Sequence, residues 1–351
     1  MRGGLWWWVR GVWVLVVVGV SVVGCVTGGS SGGLASIVAV RIGVPVHELA
    51  WSEHAGALFA LTNGHRIARI DVGKQVGLSP AVRTMVSAPF LDVGENLVTR
   101  VTSGVVYVPQ PRLGRVAEVG ETDLRVVSTV RAGPSPSWLA LDSGADHLLA
   151  LSQDHSRVTA VDLHDQAVAP SQRVQAGPDA EVDGAQRGRR IDFHVSSAAG
   201  IVHYQGDPGW VHDEGQLAIR AEKAVGDLTK SSRLYVAEKG TNRLLAVDSQ
   251  RGEHGLEVVA WADLGEPVKY VGVDGTRVYA ATEHRLVVLA TNSFEGYVDQ
   301  RLPIIGMIDF RPGLPGEARN AALSGLAVGP DRVYLALQEQ PYLVSITKPS
   351  I

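Results

Sequence analysis

The chain is built on a repeating two-run pattern. Five segments carry it clearly: "ALFALTNGHRIARID" (57–71), "HLLALSQDHSRVTAVD" (147–162), "RLYVAEKGTNRLLAVD" (233–248), "RVYAATEHRLVVLA" (277–290) and "RVYLALQEQPYLVSIT" (332–347). In each, a short apolar run of β-favouring residues meets a polar turn and then a second apolar run, the signature of a hairpin. Two weaker copies are "VVYVPQPRLGRVAEV" (105–119) and "IVHYQGDPGWVHDEG" (201–215). The aromatic position of the first run, or its equivalent, falls at Phe59, Tyr107, Leu149, His203, Tyr235, Tyr279 and Tyr334. The mean step is roughly 46 residues, within the four-stranded blade period of about 40–50.

Upstream of most hairpins lies another short run: "HELAWS", "NLVTRVT", "SWLALD", "KYVGVD" and "SGLAVG". Residues 47–61 and 137–151 align without a gap. Downstream lie further runs such as "LRVVSTVRAG" (124–133) and "LEVVAWADLG" (256–265). Four strands per unit and seven units define an all-β, seven-bladed β-propeller of four-stranded antiparallel blades. The last unit has only three strands before Ile351, while "ASIVAVRIGVP" (35–45) is a strand without a unit. Pairing the two closes the ring and covers an edge that would otherwise invite aggregation. The expected propeller spans 35–351.

The front of the chain has a different character. Arg2 and Arg10 precede "GVWVLVVVGVSVV" (11–23), an uncharged apolar run ending in small residues. That is the layout of a secretory signal peptide, and the run is short of the ~20 residues of a membrane span. The segment then reads Val22-Val23-Gly24-Cys25, with the single cysteine of the chain at its end. It resembles the bacterial lipoprotein lipobox. The resemblance implies cleavage of 1–24 as a signal peptide and a diacylglyceryl group on the Cys25 sulfur. Acyl chains, palmitate among them, would then hold the protein on the extracytoplasmic face of the cell membrane, two chains giving stable anchoring. An ordinary signal peptide with a stray cysteine, or an uncleaved anchor, is the alternative. Residues 25–34 include "TGGSSGG", a flexible coil whose reach is on the order of 15 Å.

Formal net charge is −4, from 32 basic and 36 acidic residues. Without Arg2 and Arg10 it becomes −6, the opposite of the basic footprint that nucleic-acid binding requires. Hydrophobic residues make up 45% of the chain and charged residues 19%, enough apolar material for a large core without disulfides. The segment "LYVAEKGTNRLLAVD" also resembles the bacterial YVTN-type repeat, in which a Tyr-Val pair and an Asn-containing turn precede a second strand. That resemblance covers about 280 residues unevenly; the full tetrad is absent and the fourth unit is degenerate. It implies the propeller fold.

Candidate functional residues come from two places. The innermost strands begin at the mouth of a central channel, and these starts read His47 and Glu48, Asn96, Ser137 and Trp138, Asp192, Lys269 and Tyr270, and Ser324. Polar and aromatic groups in one ring suit a small-ligand or peptide site, and equally a solvated funnel. Two apparent insertions, 164–190 and 301–322, interrupt the repeat where binding loops often lie; the first is polar enough for a disordered loop, and the second, with Met307 and Phe310, is expected to pack across a propeller face. Asp71, Asp162 and Asp248 recur at one repeat position, which places them on separate blades and favours turn chemistry over a shared site. His194, His203 and His212, with Asp207 and Asp213, lack a metal-ligand spacing and read as core or surface histidines.

No Walker loop, nucleophile elbow, H-E-x-x-H or dinucleotide fingerprint is present. No cofactor, metal or catalytic residue is therefore expected. The expected function is a non-catalytic binding or scaffold module for an envelope protein, peptide or small ligand. The competing reading is an enzyme: propellers similar to this one include lactone hydrolases, which place His, Glu, Asn or Asp around the channel mouth and sometimes bind a divalent cation. By position, His47, Glu48, Asn96 and Asp192 would then do the chemistry.

Overall fold

A computed structural model describes residues 36–73, 82–142, 144–184, 191–207, 209–249 and 255–350. Residues 1–24, which the sequence suggests as a signal peptide, Cys25, and 25–34, expected to be a tether, lie outside the described residues. Within them the chain forms seven four-stranded antiparallel sheets. Among the described residues helix is limited to three 3-10 turns at Pro111–Leu113, Val298–Gln300 and Gly316–Arg319. The molecule is a seven-bladed β-propeller.

Blade 1 holds Val46–Ser52, Ala57–Thr62, Arg66–Asp71 and Arg83–Val86, from the innermost strand outward. Blade 2 holds Val98–Thr99, Val105–Gln110, Arg115–Gly120 and Val126–Arg131. Blade 3 holds Pro136–Leu141, His147–Ser152, Arg157–Asp162 and Gln172–Arg173. Blade 4 holds Glu181–Gly184, Ile191–Ser197, Gly200–Asp207 and Trp210–Leu217. Blade 5 holds Ala221–Gly226, Arg233–Glu238, Arg243–Ser249 and Leu256–Asp263, and blade 6 holds Val268–Val273, Arg277–Thr282, Arg285–Ala290 and Ile304–Asp309. Blade 7 takes Leu323–Val328, Arg332–Leu337 and Tyr342–Thr347 from the end of the chain and Ile37–Arg41 from its front.

The second strand of each blade reads as a near-continuous apolar run because both of its faces are covered. Ala57–Thr62, for example, is buried at every position. The resulting core is divided into seven clusters, each shared by two neighbouring blades. Blades 1 and 2 meet through Phe59, Leu61, Val106 and Val108. Blades 5 and 6 meet through Tyr235, Leu244, Val278 and Val287. The closing seam is made the same way: Val40 and Ile42 pack with Leu58, Ile70, Tyr334 and Leu343. Its ladder runs in register from Ile37↔Ile346 to Arg41↔Tyr342.

Two expectations about the repeat need correction. The fourth hairpin, read as 201–215, is the third and outer strand of blade 4, not the second and third. The residue equivalent to Phe59 is therefore Phe193, which pairs with Tyr204, and not His203. With Phe193 in place the steps from Tyr107 to Tyr279 become 42, 44, 42 and 44 residues. The polar stretch 164–190 is consequently no simple insertion. It carries the outer strand of blade 3 and the innermost strand of blade 4, although 185–190 lie outside the described residues. The second apparent insertion behaves as expected of a packing segment. It supplies the outer strand of blade 6 and buries Phe310, Leu314 and Ala318 between blades 6 and 7, while Met307 stays exposed.

The three recurring acids lie on different blades, and of them Asp162 does the expected turn chemistry, accepting the His164 backbone N–H at 2.7 Å, whereas Asp71 pairs with Arg69 at 2.8 Å and Asp248 with Arg233 at 2.7 Å. His194 and His203 face one another on paired strands, buried, with rings stacked at 4.8 Å.

Because the seam depends on an apolar contact, Val40→Asp should lower the urea-unfolding free energy by about 3–5 kcal/mol, the scale for burying an unpaired charge. The same change at the exposed neighbour Arg41 should stay within about 0.5 kcal/mol.

Candidate functional site

Inner strands carry a local irregularity at their beginnings. The ladder to the second strand slips between His47 and Leu49 in blade 1, where Glu48 is the extra residue, with φ +46°. It slips between Pro136 and Trp138, Ala221 and Lys223, Val268 and Tyr270, and Leu323 and Gly325 in blades 3, 5, 6 and 7. Bulges re-aim side chains and occur often beside functional sites. At or near the starts of these strands stand Glu48, Trp138, Glu181, Lys223, Tyr270 and Gly325, Glu48 being the bulged residue of its ladder and Glu181 the first residue of its strand, while Asn96 lies two residues before Val98–Thr99.

Five of these residues meet across the axis. The Lys223 Nζ of blade 5 contacts the Glu181 carboxylate of blade 4 and lies 3.8 Å from Glu48 Oε1 of blade 1. The same ammonium is 4.8 Å from the Trp138 ring centre in blade 3 and 5.4 Å from that of Tyr270 in blade 6. Blades 1 and 5 are not neighbours in the ring, so this contact crosses the channel. Two aromatic faces and two carboxylates thus enclose one cation, each ring–ammonium contact worth roughly 0.5–2 kcal/mol depending on desolvation.

The electrostatics follow from having one ammonium for two buried carboxylates. Burial pushes the Glu181 carboxyl up to about 7 despite the attraction of Lys223. Burial also raises Glu48, with Lys223 opposing and Glu95 adding to the rise. Lys223 is disfavoured by burial, but Glu181 and Glu48 overcome this and hold its ammonium above the ordinary lysine range. Tyr270 is raised by burial and by Glu48. Two residues deeper, burial lifts Asp183 to about 7, and its Oδ2 has no hydrogen-bond partner among the described residues. This carboxylate lies so close to Gly226 of blade 5 that a Cβ there would come within 2.4 Å of Oδ2.

The other sequence candidates divide. His47 lines the rim beside Glu48, and burial lowers its pKa against the pull of Glu339. Lys269 is exposed at the blade 6 bulge. Ser324 donates to the Val46 carbonyl at 2.8 Å, and Ser137 to Glu95 at 2.9 Å. Asn96 lies before its inner strand, and its amide is committed: it donates to the Leu139 carbonyl and accepts the Leu139 N–H, both at 2.8 Å. Asp192 is not at the rim. It is on the second strand of blade 4, 2% exposed, holding His203 at 2.7 Å and Gln205 at 2.9 Å. The misplaced fourth hairpin shifted that reading by one strand.

Sequence reasoning missed Glu181 and Lys223, the centre of the site. No fixed spacing leads to them: the cage residue precedes the aromatic position of its blade by 11 residues at Glu48–Phe59 and Trp138–Leu149, by 9 at Tyr270–Tyr279 and by 12 at Lys223–Tyr235 and Glu181–Phe193.

Fold and site together define the class: a seven-bladed β-propeller with a charged, aromatic plug at one mouth of its channel. Neither a protein-family model nor a curated protein matches the sequence. Among solved structures, the chain is similar to Kuenenia stuttgartiensis hydrazine synthase at 13% identity and a TM-score of 0.62, over 88% of this chain and 97% of that one. It is also similar to a functionally unknown protein from Desulfotomaculum acetoxidans at 14% identity and a TM-score of 0.59, over 78% of this chain and 86% of that one. At such identities the likeness is one of fold.

An acid with a raised native pKa stabilises the fold below its unfolded pKa and loses that contribution as pH rises through the native value. The loss should fall between pH 4.5 and about 7 for Glu181 and between pH 3.8 and about 7 for Asp183. The melting temperature should therefore drop from pH 5 to pH 8, and Glu181→Gln with Asp183→Asn should flatten the profile. Lys223→Met should cost about 3 kcal/mol at pH 8, where it strands buried carboxylates, and much less at pH 5. Thermal unfolding across that range measures both.

Proposed function

We propose that the protein is a lipid-anchored, non-catalytic binding module of the bacterial cell envelope. Cys25 carries the lipid on the extracytoplasmic face of the cell membrane, and the channel rim around Glu48 and Lys223 receives a protein, peptide or small envelope ligand. The lipobox-like Val22–Cys25 segment supports the anchor. The direction of one strand supports the presentation. Ile37 pairs with Ile346, at the end of blade 7 where Val328 pairs with Val333, opposite the rim end at Leu323. Ser36 is tied there to Thr347 by a 2.7 Å hydrogen bond between their hydroxyls. The chain thus enters the disc from the face away from the rim. A tether from Cys25 would leave the rim pointing outward, where a ligand can reach it.

The arrangement of the carboxylates supports binding over hydrolysis. Glu48 and Glu181 face an ammonium of the protein itself, at the point where a metal or a reacting water would have to sit. Asn96 and Asp192, two of the four residues a lactone hydrolase would use, hold backbone or core side chains instead. Among the described residues no three His, Cys, Asp or Glu side chains group to hold a metal. The hydrolase reading keeps one point in its favour, a Glu181 carboxyl poised near 7; measurable lactone turnover that disappears in Glu181→Gln would establish it over the binding reading.

Cys25→Ala should move the protein from the membrane to the soluble fraction, and retention on the membrane would refute the anchor. The presentation has its own test. In liposomes carrying the lipidated protein, a fluorophore on Phe294→Cys, in the exposed blade 6 loop opposite the rim, should be quenched by lipid-borne quenchers. One on Gln338→Cys, at the rim turn of blade 7, should not; equal or reversed quenching would refute the orientation.

A further inference from the structure

Beside the Lys223 cage the rim opens into a cavity of about 420 Å³ between blades 1, 6 and 7. Such a volume lies within the ordinary range for small-ligand sites, roughly 300–1,000 Å³. Its wall includes His47, Glu48, Asn63, Tyr270, Gln338 and Glu339. Its lining holds two carboxylates, Glu48 and Glu339, and no lysine or arginine, and burial lowers the pKa of His47.

Glu48 is short of partners. Among the described residues its single ion-pair partner is Lys223 at 3.8 Å, beyond hydrogen-bond reach and shared with Glu181. No hydrogen bond to its carboxylate occurs among the described residues. Across the cavity, Glu339 sits in the turn between the second and third strands of blade 7 with φ +57°. Tyr270 is common to cavity and cage, and its ring is already within cation–π distance of an ammonium. The protein therefore shows, with its own lysine, which chemistry these side chains accommodate: a carboxylate edge, an aromatic face and a compact cation.

We propose that this cavity binds an organic cation bearing a primary ammonium group, placed between Glu48 and Glu339 against the ring of Tyr270. Such a ligand supplies positive charge to a cavity lined by two carboxylates and by no lysine or arginine. Lys223 stays in its cage and positions Glu48 for the incoming group. The inference deepens the binding-module reading by naming a ligand class for the same rim.

The test is calorimetric titration of the full-length protein in detergent with 1,5-diaminopentane, with 1,5-pentanediol as the neutral analogue and glutarate as the anionic one. The diamine should bind at least tenfold more tightly than the diol. Glu339→Gln, in a surface turn that should fold normally, should weaken it about tenfold, and Glu48→Gln at least as much. Glu53→Gln, on the opposite face, should leave binding unchanged. Equal affinity for diamine and diol, no diamine binding at 10 mM, or diamine binding insensitive to Glu339→Gln would overturn the proposal. Glutarate binding that depends on Glu48 or Lys223 would overturn the ligand class while leaving the rim as the binding site, so the two readings fail separately.

Discussion

No blade of this molecule owns a core. Each apolar cluster is shared between two neighbours, so every sheet is stable only because another stands beside it, and the last must meet the first. That dependence makes closure the governing constraint. The outer strand of blade 7 is supplied by Ile37–Arg41, and Val40 and Ile42 complete the wedge between blades 7 and 1. Removing that strand would expose both an apolar wedge and an unpaired edge, which is why the two distant parts of the chain are brought into one sheet.

Closure also creates the site. Seven inner strands converge on an axis, and slipped ladders in five of them set their starting residues toward it. Lys223 is then brought within reach of groups from blades 1, 3, 4 and 6, a set no single blade could assemble. Burying one ammonium among two carboxylates and two rings is costly for each charge alone. Burial, opposed by the Lys223 ammonium, raises the carboxyls of Glu48 and Glu181.

How much was legible depended on how apolar each strand is. The second and third strands were visible because both faces are covered, so "ALFALT" and "RLYVAE" read as β-runs without further context. Although only partly buried, inner strands such as "SWLALD" and "KYVGVD" were visible because they too carry apolar β-favouring residues. Glu181–Gly184 and Ala221–Gly226 were not, since "EVDG" and "AEKAVG" put charges where the pattern expects apolar residues. Those charges are the site itself, so the residues that break the strand pattern are the ones that matter. The error at Asp192 has the same origin. With the polar inner strand of blade 4 unseen, its second strand was taken for the first.

By itself, the sequence determined the number of blades, their four-stranded make-up and the way the ring shuts, because covered strands must be apolar and a regular period of covered strands leaves few other architectures. It also carries the cysteine-bearing front segment, which is chemistry written in consecutive residues. Only the tertiary structure decided which polar residues meet. Glu48 and Lys223 are 175 positions apart, and nothing local to either announces the other. Their contact is a property of the closed circle, and it exists once seven sheets have been packed around one axis.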